Sequence, residues 1–290
     1  MILALYKKEL ISYFKTPLAY VFLALILFFT GVIFTTGFLF RANQNFPLYL
    51  RILTTLFVVI IPLLTMRSYS EEFKNRTDQL LFTLPIPLTS ILIAKFLAIL
   101  TVFAVIIGNL FLYLFVLQRF GSPDWPHIII AMIGFILLGS TLISLGMAIS
   151  SYTQHQLLAA LISFIAVLII VILTSLTPII PKSATASLLL FSSIIAIQTQ
   201  RLYTKTHKKL PSIVLFLTLL SIMLIWQITS NDSFTNFIPM FLRNYSPLVR
   251  YQSFNQGILH LNDLVYFVVS IIVLQYITYL NLEKHYYKER

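Results

Sequence analysis

The chain has 290 residues, 59% of them hydrophobic and 10% charged, with a mean hydropathy of +0.92. A soluble domain carries about 25% charged residues, so a water-soluble globular core is excluded and the chain reads as polytopic in a membrane. The net charge of +11 lies in short clusters beside apolar runs, which suits lipid headgroups rather than nucleic acid, and the absence of cysteine excludes disulfides and thiolate chemistry.

The first stretch, "MILALYKKELISYFKTP", places Leu3, Tyr6, Leu10, Tyr13 and Phe14 on one helical face, with Lys8, Ser12 and Lys15 opposite, and Lys7 and Glu9 belong to the same helix. This pattern predicts an interfacial amphipathic helix over residues 1–17, lying on the inner leaflet, with Pro17 turning the chain into the membrane. An ordinary basic flank that only sets topology fits the same residues. The following apolar run is too long for a cleaved signal and is expected to remain as a span.

Eight apolar runs approach or exceed the roughly 20 residues that cross a bilayer as helix. They cover 18–40, 49–66, 91–117, 128–150, 157–176, 183–199, 212–229 and 264–282. None alternates polar and apolar as a barrel strand does, so the expected class is all-α: a polytopic transmembrane bundle of about eight spans, forming one domain over 1–290. Basic clusters at 7–15, 67–76, 201–209 and 284–290, with Lys95, fall on one side of this threading. Arg41, Arg51, Arg119, Lys182, Arg243 and Arg250 fall on the other. The first side is therefore expected to be cytoplasmic, with both termini inside.

Between the second and third runs lies "SYSEEFKNRTDQLLFTLP", a compact mixed-charge stretch. On a helix, Leu80, Leu81 and Leu84 share a face, while Glu71, Glu72, Lys74, Arg76 and Asp78 supply a charged exterior. Residues 68–90 then fit either a short helix docking into a partner's groove or a solvated loop carrying topological charge. Further along, residues 231–263 form the one long outer loop, too aromatic to be a solvated linker and expected to pack as short helices.

Several chemistries are missing from the runs. No Asp, Glu, Arg or His occupies the middle third of any of them, which argues against an ion-coupled pump. Lys95 is expected to snorkel from a cytoplasmic end, and Asn109 and Gln275 to make interhelical hydrogen bonds. No phosphate-binding G-x-x-x-x-G-K-[ST] loop and no H-E-x-x-H zinc motif occurs. "GSTLISLG" lacks the nucleophile pattern G-x-S-x-G; instead Ser140, Ser144 and Ala148 recur every four residues as a small-residue packing stripe. A membrane enzyme thus has no converging polar site to work with.

The stretch "EEFKNRTDQLLFTLPIPLTSILIAKFLA" resembles the type-2 ABC transporter permease family in its paired glutamates, threonine, double leucine, proline and lysine. "YKKELISYFKTPLAYVF" resembles that family's entry helix. "FGSPDW" and "NYSPLVRYQSFNQGILHLNDLVYFVVS" resemble its gliding-motility and nitrous-oxide-reductase-maturation branch. The resemblance implies a non-catalytic permease subunit, of exporter type, in a bacterial cytoplasmic (inner) membrane. It implies pairing with a second permease copy or paralogue and with ABC ATP-binding subunits, which would hold ATP and Mg themselves. Glu71, Glu72, Arg76, Thr77, Leu80, Leu81 and Pro85 would then form the segment that couples to the ATPase. Two features depart from the family: Arg76 stands where glycine is common, and 183–229 reads as a hairpin beyond the usual six spans. A scaffold that anchors partners without moving cargo fits the same residues.

Overall fold

A computed structural model describes residues 2–15, 17–40, 45–77, 87–120, 123–176, 192–193, 195, 199–200, 218 and 244–288. Every regular element among these described residues is helical. We number them α1 (Ile2–Lys15), α2 (Pro17–Phe34), α3 (Phe46–Leu53), α4 (Phe57–Thr65), α5 (Ser70–Asn75), α6 (Leu88–Phe120), α7 (Trp125–Ser150), α8 (Gln156–Leu176), α9 (Pro247–Asn255) and α10 (Leu261–Lys288).

Helices are what the composition dictates. Lipid offers backbone groups no partners, so each apolar stretch must satisfy its own N–H and C=O groups. Among the described residues, 6 stretches are long and apolar enough to cross a membrane: Tyr20–Leu39, Phe46–Asn75, Leu88–Arg119, Trp125–Ser150, Gln156–Ser175 and Leu261–His285. They correspond to the first five expected runs and the last. The expected hairpin at 183–229 and the first part of the expected outer loop, 231–243, lie outside the described residues apart from isolated positions.

The spans are not uniform rods. Pro17 opens α2 at the position where its missing N–H costs least. At the far end of α2 a π-helical turn, Thr35–Leu39, forms where Thr35 and Thr36 hydroxyls donate back to Gly31 and Val32 carbonyls at 2.8 and 2.7 Å. Asn45 then caps α3 by accepting the Leu48 N–H at 3.0 Å. A single 3-10 turn at Thr54–Leu56 joins α3 to α4, again beside two threonines that bond their own helix.

The chain divides into two compact units, Met1–Val171 with Arg250–Arg290, and Ile172–Val249. In the second, Thr174 and Ser246 hydroxyls share a hydrogen bond of 2.7 Å. The first is built around α7, against which α3, α4, α6 and α10 pack. Phe57, Phe103 and Phe135, one each from α4, α6 and α7, meet at the centre with ring centroids 4.8–6.2 Å apart. α1 lies along the start of α6. At the other end of the bundle, α9 turns Tyr251 and Phe254 into the protein, where they are buried. That part of the expected outer loop is a packed helix. Arg250 and Asp263 pair at 2.5 Å beside it.

Candidate functional site

The polar stretch singled out above emerges from α4 as an elbow, a turn over residues 66–69 followed by α5. Its inner side is hydrogen-bonded to α7 and stacked on α10, and α1 is bonded to the end of α4 just before it. The Tyr69 and Ser70 N–H groups donate to Ser150 Oγ at 3.2 and 3.3 Å, and Ser150 Oγ donates to the Met66 carbonyl at 3.3 Å. Ser70 Oγ donates to the same carbonyl. One residue on from Ser150, the Ser151 hydroxyl accepts from Asn281 of α10 at 3.1 Å. The Tyr13 hydroxyl of α1 donates to the Leu64 carbonyl at 2.9 Å. Phe73 of α5 stacks on His285 of α10, centroids 4.5 Å apart and planes 21° apart.

Beneath the elbow sits an ionic cluster. Lys95 Nζ lies 2.8 Å from Glu72 Oε1 and 3.2 Å from Glu9 Oε2, and 5.4 Å from the centre of the Tyr69 ring. Its side chain is 3% exposed. The expectation that Lys95 snorkels is therefore corrected: the ammonium turns into the protein and joins α1, α5 and α6. An isolated buried ammonium costs several kcal/mol, so the two carboxylates, one with a hydrogen bond, are what make this position tenable. Glu72 is likewise turned inward, whereas its sequence neighbourhood had placed it on the charged exterior.

Glu9 reaches Lys95 because it shares a face with residues that pack on the bundle. Tyr6, Glu9, Leu10 and Tyr13 follow the i, i+3, i+4, i+7 spacing of one helical stripe. Tyr6 and Tyr13 of this stripe bond to Thr101 of α6, at 2.8 Å, and to Leu64. Tyr6, Leu10, Tyr13 and Phe14 are half-buried, whereas Leu3, expected on the same face, is 77% exposed. Lys7, Lys8 and Lys15 are exposed. Burial of the Tyr13 hydroxyl, with the Glu9 charge adding to it, holds the phenol above the usual tyrosine range, so it stays a neutral donor.

The elbow's outer side is polar and open. Arg67 and Glu71 face each other at 3.9 Å, and Lys74, Asn75, Arg76 and Thr77 are all exposed. α5 ends in a Schellman motif: the Thr77 N–H donates to the Glu72 carbonyl at 3.0 Å and the Arg76 N–H to the Phe73 carbonyl at 3.4 Å. This cap requires a left-handed residue, and Arg76 supplies it with φ 55°. The departure from glycine at this position thus acquires a physical meaning. Asp78, Leu80, Leu81 and Pro85 lie outside the described residues.

Away from the elbow, Ser140, Ser144 and Ala148 are buried, and Ser144 Oγ accepts the Gln275 amide of α10 at 3.1 Å. Asn109 donates to Thr30 Oγ1 at 3.4 Å, so both expected deep amides bond between helices. The tightest approaches fall on glycines that the small-residue stripe did not include. A Cβ on Gly146 would collide with Thr65 of α4, whose own Cβ would lie 2.8 Å away, and one on Gly139 would collide with the Phe103 ring.

Among the described residues no three His, Cys, Asp or Glu side chains gather as a metal site requires. What the arrangement offers is mechanical: a charged tip outside, and a ring of bonds to α1, α6, α7 and α10 inside. A profile described as "ABC-2 family transporter protein" matches residues 4–177 of the chain. No curated protein and no solved structure matches it.

Proposed function

Because the chain belongs to the ABC-2 family of transporter proteins, we propose that it is the membrane-spanning, non-catalytic subunit of an ATP-driven transporter of exporter type. Separate ATP-binding subunits, which hold ATP and Mg, dock on residues 68–85 from the cytoplasm and drive the spans. The observation that supports this reading best is the two-sidedness of the elbow. Its tip, 74–77, is exposed and polar, while Tyr69, Ser70 and Phe73 are buried and bonded to other helices. A push delivered at the tip reaches α6, α7, α10 and α1 through hydrogen bonds, an ion cluster and a ring stack rather than through a slack loop.

The same feature favours transmission over simple anchoring, because a scaffold needs the exposed tip but has no use for the bracing behind it. The reading carries further elements with it: a second permease copy or paralogue in the complex, both termini in the cytoplasm, and an additional hairpin at 183–229. The motifs "FGSPDW" and "NYSPLVRYQSFNQGILHL" favour the gliding-motility and nitrous-oxide-reductase-maturation branch.

The test is purification of the intact chain from its native membranes, with identification of what accompanies it. A subunit bearing a phosphate-binding G-x-x-x-x-G-K-[ST] loop should copurify, and its ATP hydrolysis in nanodiscs should depend on this chain. Purified chain that hydrolyses ATP unaided, or that carries no such subunit, overturns the reading.

A further inference from the structure

Sequence position alone leaves the elbow mixed in charge, with two adjacent glutamates at its head. The structure redistributes those charges. Glu72 is consumed internally by Lys95, and Glu71 faces Arg67 at 3.9 Å. What remains at the exposed tip is Lys74 and Arg76, for which the described residues provide no ion-pair partner. Exposed Lys7 and Lys8 extend the same sign onto α1, whose Glu9 meets the same Lys95. We infer that the docking tip of this chain is cationic and that the groove receiving it on the ATP-binding subunit is lined with carboxylates, one placed to take Arg76 in a two-point hydrogen bond. This inference rests on the proposed function and deepens it.

Two observations favour a carboxylate groove over an anionic lipid surface. The first is the backbone at Arg76. A non-glycine residue in the left-handed region is strained, and glycine would satisfy the cap without that strain. The chain keeps an exposed arginine there, on a hydrogen-bonded cap. A guanidinium suits a planar carboxylate through two parallel hydrogen bonds, whereas headgroup attraction needs only charge and is served equally by lysine. The second is composition. Lys74, Asn75, Arg76 and Thr77 include no apolar side chain to enter the acyl boundary, as a membrane-surface element requires. On α1, by contrast, exposed Leu3 and Ile11 accompany the lysines.

The experiment measures affinity of the purified chain, in nanodiscs of neutral phosphatidylcholine, for the ATP-binding subunit identified above. Lys74→Glu with Arg76→Glu should weaken binding by about tenfold or more and flatten its dependence on salt between about 50 and about 500 mM. Glu71→Lys, which adds to the cationic tip, should tighten binding. Arg76→Gly, which the backbone accommodates, separates loss of charge from loss of fold and should weaken binding on its own. Unchanged affinity in the charge-reversed variant, or weakening by Glu71→Lys, overturns the inference while leaving the proposed function standing. An effect confined to nanodiscs containing phosphatidylglycerol assigns the cations to lipid and also overturns it. A wild-type chain that binds no ATP-binding subunit removes the proposed function and this inference together.

Discussion

Lys95 and Glu72 lie 23 residues apart in the chain and 2.8 Å apart in space, joined by a hydrogen bond that closes the elbow onto the third span. Glu9 completes the cluster from 86 residues away on α1, at 3.2 Å. α6 has 33 residues, or about 50 Å of helix, against a hydrocarbon thickness of about 30 Å. Lys95, in its second turn, therefore has room to sit toward one end of the span.

Removing the ammonium leaves two carboxylates facing each other in a desolvated site. Lys95→Met is expected to destabilise the protein by about 3–5 kcal/mol, and adding Glu9→Gln and Glu72→Met should recover most of that loss. Thermal unfolding of the detergent-solubilised variants reads the difference. A single variant that melts with the wild type contradicts a structural role for the cluster.

Arg76→Gly should act in the opposite sense on stability. Relieving the left-handed residue gains about 1 kcal/mol, equivalent to a rise of about 2–4 °C in Tm for a domain of this size class. Substitution by a β-branched residue, Arg76→Val, should lower Tm, since its crowded Cβ fits that backbone region worst. If valine and glycine give the same Tm, the Schellman cap does not persist in the solubilised protein.

Gly146→Ala forces α4 and α7 apart at Thr65 and is expected to cost about 1–3 kcal/mol. Thr65→Ala in the same chain removes Oγ1 and Cγ2 but leaves a Cβ 2.8 Å from the new methyl, so it should restore only part of the loss. Ser140→Ala, at a position where the hydroxyl only bonds back to Ile136, should be nearly silent in the same melting assay.

The threading itself is open to direct labelling because the chain has no cysteine. A single cysteine at Lys74 should react with a membrane-impermeant maleimide only when the cytoplasmic face is exposed. A single cysteine at Asp124, beyond the other end of α6, should react only from the opposite face. Labelling of both from one side contradicts a spanning α6, and the reversed pattern contradicts the expected orientation.

Apolar content made six spans legible from sequence, because crossing length and hydropathy are local properties. The same holds for the helix over residues 2–15. Which residues of that helix face the protein is only half legible: the stripe through Tyr6, Leu10 and Tyr13 shows in the sequence, but nothing local tells that charged Glu9 on the same stripe turns inward to Lys95. Lys95 escaped because its partners come from segments whose juxtaposition no local pattern encodes. The glycines at 139 and 146 are not legible for a related reason, since a small residue becomes a contact only through the side chain opposite it, Phe103 or Thr65. The inward turn of Glu72 could not be separated from Glu71 by charge alone.

The Ser150 hydroxyl is held by two amides and in turn holds one carbonyl, so every bonding direction it offers is occupied. Such a rivet leaves the descent from α4 into α5 no alternative register to slide into. A stroke arriving from below would then tilt whole cylinders about their packed neighbours instead of dissipating as local flexing, and the length of that stroke would be set by geometry rather than by elasticity.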